Sequence, residues 1–197
     1  MTLTSGEVYD LFKETGALLE GHFILTSGLH SNTYFQCAKV FQYPWHGEKL
    51  AKAVADHFRS QSVDVVVSPA MGGIVVGQEI GRLLGVKAIF AERADGSMVL
   101  RRGFEIAPDE RVLVTEDVTT TGGSVKEVMD LARQHGGRIV GVTGVVDRSG
   151  GKLDFSVPYF SLLRLDVVTY QPDNCPLCKT GSKPVKPGSR GLGQAKG

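Results

Sequence analysis

The sequence predicts an α/β fold, a parallel-sheet core with helices on both faces and a short antiparallel excursion near the N-terminus. Apolar runs short enough for buried strands occur at VDVVVSPAMGG (63–73), RVLVT (111–115) and GRIVGVTGVVD (137–147). Segments with apolar residues at helical spacing lie between them. Such alternation favours a parallel sheet, because each helix carries the chain back across a sheet face. The length of 197 residues, with 42% hydrophobic and 22% charged, suits one domain with a sizeable core.

In chain order, residues 4–19 carry Val8, Leu11 and Phe12 at helical spacing. The next stretch, GHFILTSGLHSNTYFQCAKVFQYP, mixes β-branched and aromatic residues with Gly, Ser and Asn, which predicts short strands and tight turns. HGEKLAKAVADHFRS puts Leu50, Ala53, Val54 and Phe58 on one helix face, and GIVVGQEIGRLLG is a second helix. A strand at KAIFAE runs into RADGSMVLRRGF, where Asp95-Gly96 predicts a hairpin turn. After the strand at 111, Val125, Val128, Met129 and Ala132 mark another helix, and YFSLLRLDVVTY is the last expected strand. The domain is expected over residues 1–171. Residues 172–197, with five basic residues among Pro, Gly and Ser, are expected to form a flexible basic tail.

Bulk properties exclude several functions. Lys plus Arg number 22 against 21 Asp plus Glu, so no basic field invites nucleic acid. No apolar run approaches the ~18 residues of a membrane span, and the N-terminus lacks a signal-peptide pattern. Three cysteines do not make a disulfide framework for a chain of this size. The expectation is a cytoplasmic protein.

TEDVTTTGGS (115–124) falls between a strand and a helix N-terminus, the edge at which open parallel sheets bind ligands. Backbone N–H groups of Thr119 to Ser124 are placed to wrap an anion, favoured by the helix dipole. The Lys of a GxxxxGK[ST] loop is missing, so this is no nucleoside-triphosphate cradle of that kind. Glu116 and Asp117 would repel phosphate and suit sugar hydroxyls instead. A ribose 5-phosphate satisfies both halves. The bland alternative is a solvated strand end followed by an ordinary turn.

VLVTEDVTTTGGS resembles the 13-residue motif of the type I phosphoribosyltransferases, which bind phosphoribosyl diphosphate. The resemblance covers residues 4 to 170 and implies that family's fold, with a hood largely from residues 20–45. It implies that Glu116 and Asp117 hold the ribose diol, while Val118, Thr119, Thr120, Thr121, Gly122, Gly123 and Ser124 hold the 5-phosphate. Ser68, Ala70, Met71 and Gly72, with Gly73, match its pyrophosphate loop. The hairpin arginines Arg93, Arg101 and Arg102 match its mobile catalytic loop, which reaches across a homodimer. Mg²⁺ bridging phosphate oxygens is implied as cofactor.

Base selection follows from FILTSGLHSNTYFQCAKV, which resembles the hood of orotate phosphoribosyltransferases in Ser27, Gly28, Ser31, Tyr34 and Phe35. A flat pyrimidine wants an aromatic platform with hydrogen-bonding groups at its edge. Arg148, at the end of a buried strand, is suited to the carboxylate of orotate, and Thr120 matches another base contact. His30 is a further candidate for the base. The implied reaction joins orotate and phosphoribosyl diphosphate into orotidine 5'-monophosphate and pyrophosphate, on the route to UMP. A purine phosphoribosyltransferase, or a regulator that senses phosphoribosyl diphosphate, are the alternatives. Cys175 and Cys178 have zinc-ligand spacing, but Cys37 and a histidine would complete a site only through folding.

Overall fold

The computed structural model describes residues 3–25 and 27–187. Its elements run α1 (Ser5–Glu14), β1 (Leu18–Ile24), β2 (His30–Phe35), α2 (Ala38–Phe41), α3 (Pro44–Phe58), β3 (Val65–Pro69) and α4 (Gly72–Leu84). They continue with β4 (Lys87–Ala94), β5 (Ser97–Leu100), β6 (Arg111–Thr119), α5 (Gly123–Gln134), β7 (Arg138–Asp147), β8 (Tyr159–Arg164), β9 (Thr169–Tyr170) and α6 (Pro176–Lys179).

The main sheet has the order β5-β4-β3-β6-β7-β8. Its neighbours pair in parallel except β5, which returns antiparallel on β4 through the expected Asp95-Gly96 turn, both residues at positive φ. Alternate residues of the central strands feed two apolar layers. Val66 and Leu113 pack with Val8, Leu50, Val54 and Ile80 of α1, α3 and α4. Val65, Val67, Val112 and Val114 pack with Val125, Val128 and Met129 of α5. Burial on both faces is why these strands read as unbroken apolar runs.

From β3 the chain proceeds outward to β4, and from β6 it proceeds the other way to β7. The gap between β3 and β6 is therefore a topological switch point, where a crevice opens at the carboxyl ends. Their pairing stops at Val67 and Val114, so the strands part before Ser68 and Thr115.

Helix α1 starts as expected, with Thr4 and Glu7 forming a reciprocal capping box. It ends at Glu14 rather than 19, because Gly16 at φ 64° turns the chain and Leu18-Leu19 enter β1. The expected last strand is two: β8 lies in the main sheet, while β9 joins β1 and β2 in a separate three-stranded hood. The tail expectation is corrected for residues 172–187. Cys175 is buried, Ile24 N donates to Val185 O at 2.8 Å, and Val185 N donates to His22 O at 2.8 Å. This segment packs on the hood because it supplies backbone partners that strand β1 lacks. Residues 188–197 lie outside the described residues.

Candidate active site

Three strand ends converge on the crevice: β3 with its loop Ala70–Gly72, β6 with its threonine loop, and β7 with Asp147-Arg148. Thr119 is in register with Asp147, and Arg148 N donates to Thr119 O at 2.8 Å, which locks the last two ends together. A cavity of about 640 Å³ lies over them, lined among others by Phe35, Cys37, Met71, Gly72, Asp117 and Arg148. A second recess of about 50 Å³ is lined by Glu116 and by Val118 to Val125. Asp117 thus faces the larger space and Glu116 the smaller, with Val118 on the rim of both.

The small recess is built from the loop backbone. Gly122 precedes α5 at φ 75°, a conformation costly for a side-chain-bearing residue. Lys126 N donates to Gly122 O at 2.9 Å, closing the first helical turn and leaving earlier amides directed at the recess. An anion there meets the positive end of the helix dipole. The Thr119 hydroxyl takes no part. It is buried, donates to Val146 O at 3.3 Å and lies 2.5 Å from the Tyr159 hydroxyl, so this residue offers its backbone alone.

The acids lie close to the β3 loop, whose Ala70-Met71 peptide is cis. A Cβ on Gly72 would stand 2.7 Å from either Asp117 carboxylate oxygen, so only glycine lets loop and acid meet. Val118 N donates to Asp117 Oδ1 at 2.8 Å and holds that carboxylate in place. Burial first, and then the charge of Asp117, push the Glu116 carboxyl well above the usual carboxylate range. Among the described residues neither acid has a cationic partner. The site carries negative charge that a ligand or cation must meet.

Arg148 occupies the opposite wall. Its guanidinium carbon lies 5.7 Å from the Phe35 ring centroid, and no acid pairs with it among the described residues. Its buried Nε lacks any hydrogen-bond partner there. Burial lowers its pKa, the direction expected for a cation held without a counter-ion. A half-buried, unpartnered fork of donors above an aromatic face is arranged for a flat carboxylate-bearing ligand.

Comparison with known proteins identifies the family. The phosphoribosyl transferase domain family matches residues 40–170. An orotate phosphoribosyltransferase from Chlorobaculum parvum is 56% identical over 192 residues, spanning 98% of this chain and 100% of that one. The chain belongs to the orotate phosphoribosyltransferase family. It is accordingly a glycosyltransferase of the pentosyltransferase class. The crystal structure of orotate phosphoribosyltransferase from Aeropyrum pernix superposes with a TM-score of 0.68 at 22% identity, over 80% of this chain and 93% of that one. Adenine phosphoribosyltransferase from Thermoanaerobacter pseudethanolicus superposes at 0.57 and 15% identity, over 68% and 88%. The fold is thus common to enzymes named for different bases.

Within the orotate phosphoribosyltransferase frame, the crevice brings together Met71, Gly72, Glu116, Asp117, Val118, Thr120, Arg148 and Phe35. Ser68, buried against Gly77, and Ala70, which opens the loop, line neither recess. Tyr34 does not line the cavity; its hydroxyl donates to Gln36 Oε1 at 3.1 Å and its ring packs on Phe23. The assignment of His30 to the base is corrected. His30 is buried on the hood's other side, with Nδ1 3.0 Å from His22 Nε2 and 3.4 Å from Cys178 Sγ. The hairpin arginines line neither recess. Arg93 bonds Gly96 O and pairs with Glu127, Arg102 forms a two-pronged pair with Glu92, and Arg101 is exposed. Tyr159, Gln36, Cys37 and Val75 are site or supporting residues that sequence reasoning missed. A lone aromatic at a strand start carries no signal for Tyr159, whose phenol burial raises to about 12.

Proposed function

We propose that the chain transfers the phosphoribosyl group of 5-phosphoribosyl 1-diphosphate to N1 of orotate, yielding orotidine 5'-monophosphate and pyrophosphate for UMP synthesis. The unpartnered guanidinium of Arg148 above Phe35 is the observation that carries the choice of base. It pairs with the orotate carboxylate and presents N1 toward the crevice floor. The Thr119–Ser124 backbone holds the 5-phosphate, and Glu116 and Asp117 accept hydrogen bonds from the ribose hydroxyls. The negative charge of Asp117 also favours the positive charge that develops on the sugar as the bond from C1 to pyrophosphate breaks.

The unpaired Asp117 carboxylate, with the Glu116 carboxyl oxygens beside it and an anion cradle next to both, suits Mg²⁺, a hard cation that prefers oxygen ligands and keeps water or phosphate among them. Asp117 and Glu116 would meet it through water or the ribose hydroxyls. When bound, Mg²⁺ neutralises charge on the phosphate oxygens and on the leaving pyrophosphate. The hairpin arginines reach neither recess of their own chain, which supports a homodimer in which Arg101 serves the partner's crevice. Three free cysteines suit a reducing compartment such as the cytoplasm, and no helix among the described residues is long and apolar enough to cross a membrane.

The test is a panel of bases. With phosphoribosyl diphosphate and Mg²⁺, orotate should be consumed, followed by its absorbance, while adenine, guanine and hypoxanthine remain unchanged. Turnover of a purine in preference to orotate would overturn the reading.

A further inference from the structure

Four side chains with no part in the crevice meet behind the hood. His22 (β1) and His30 (β2) face each other, and Cys175 and Cys178 reach them from the C-terminal segment. Their ligand atoms, one per residue, all lie within 4.8 Å of one another. His22 Nε2 is 3.0 Å from His30 Nδ1, 3.5 Å from Cys175 Sγ and 3.8 Å from Cys178 Sγ; His30 Nδ1 is 3.4 Å from Cys178 Sγ. Around a tetrahedral zinc with bonds of ~2.0–2.1 Å to nitrogen and ~2.3 Å to sulfur, ligand atoms stand roughly 3.3–3.8 Å apart. The cluster falls close to that spacing before any ion is placed.

We propose that His22, His30, Cys175 and Cys178 form a closed zinc site that clamps the C-terminal segment onto the hood. The tautomer supports it. His22 Nδ1 donates to Ser182 O at 3.1 Å, which leaves the Nε2 lone pair facing the other three ligand atoms, the orientation that backbone carbonyls impose on metal-bound imidazoles. Two imidazoles and two sulfurs in a tetrahedral array select zinc rather than Mg²⁺ or Ca²⁺. Cys175, His22 and His30 are buried, so the set leaves no open coordination position and the site is structural. Binding releases the two thiol protons to solvent, and the two thiolates neutralise the ion's charge. The pairing supplies what Cys175-Pro-Leu-Cys178 lacks in sequence, with His22 and His30, and not Cys37, as the other half.

Metal analysis of the full chain, produced with zinc and purified without chelator, should give about one zinc per chain. The Cys175→Ser/Cys178→Ser variant should give none. Stripped wild-type protein refilled with Co²⁺ should acquire the strong visible absorption of tetrahedral thiolate-bound cobalt, and zinc should raise its melting temperature. These readouts are independent of turnover and of the base used. Absence of bound metal together with colourless Co²⁺ protein would overturn the proposal. So would a Cys175–Cys178 disulfide in freshly isolated protein, or equal zinc in the double variant. Since the stripped wild-type chain is itself a test object, failure of the variant to fold leaves the answer intact.

Discussion

Arg148 and Glu116 carry opposite frustrations, a half-buried cation without an anion and a half-buried acid beside another acid. Under the proposed function, each would be relieved by one end of the ligand pair. Replacing Arg148 with Ala should remove charge-assisted bonds of about 2–3 kcal/mol, lowering kcat/KM for orotate roughly 30- to 150-fold. KM for phosphoribosyl diphosphate should stay near wild type in steady-state kinetics; a matching rise there would contradict the assignment. Glu116 titrates above its ordinary 4.5, so the folded state holds a proton that the unfolded chain has given up. The stability this contributes is full below the ordinary value and is lost as pH rises through the raised one. Glu116→Gln should therefore raise the melting temperature more at pH 8 than at pH 5, while activity falls. Equal gains at both pH values would refute the shift. Asp117→Asn should cut turnover at least tenfold with an unchanged circular dichroism spectrum, since an amide offers the diol a weaker, uncharged acceptor.

At the scale of elements, β6, its loop and α5 were legible because their meaning is local. Strand, acids, hydroxyls and helix follow one another, and an anion site at a helix N-terminus needs only that order. The hood was half legible. Strands β1 and β2 show as a mixture of β-branched and aromatic residues with Gly, Ser and Asn, but β9 depends on Thr169 pairing with Ser31 from the far end of the chain. No window of sequence contains that pairing. For the same reason His30 read as a ligand contact and the cysteine pair as an orphan. The hairpin arginines could be counted but not aimed, because their direction depends on Glu92 and Glu127. Gly122→Ala tests the local part. A Cβ there would meet Phe155 and Leu153 at 3.0–3.1 Å in a left-handed backbone, so stability should fall by about 1–3 kcal/mol in urea melts and affinity for phosphoribosyl diphosphate with it. Wild-type values for both would show that the loop tolerates repacking.

For the whole molecule, the division of labour sets two expectations. If Arg101 acts in a partner's crevice, mixing Arg101→Ala with Asp117→Asn protein should restore activity that neither shows alone, because the mixed dimer retains one intact site. No recovery after subunit exchange, checked by native mass spectrometry, would place the hairpin's action within its own chain. A chain ending at residue 171 keeps the six-stranded sheet but loses the Val185 contact and both tail cysteines. It should still bind phosphoribosyl diphosphate, with a lower melting temperature and a raised KM for orotate, since Phe35 lies on the hood that the segment braces.

The contact between Ile24 and Val185 also orders events during synthesis. Domains begin to fold while the ribosome is still translating, from the N-terminus onward. The strands whose ends line the crevice emerge well before the segment that braces the hood. A nascent chain can thus have its main sheet formed while the hood is still unsecured. That bracing waits until Val185 has emerged, so a message ended before that point would leave the hood without its bond to Ile24.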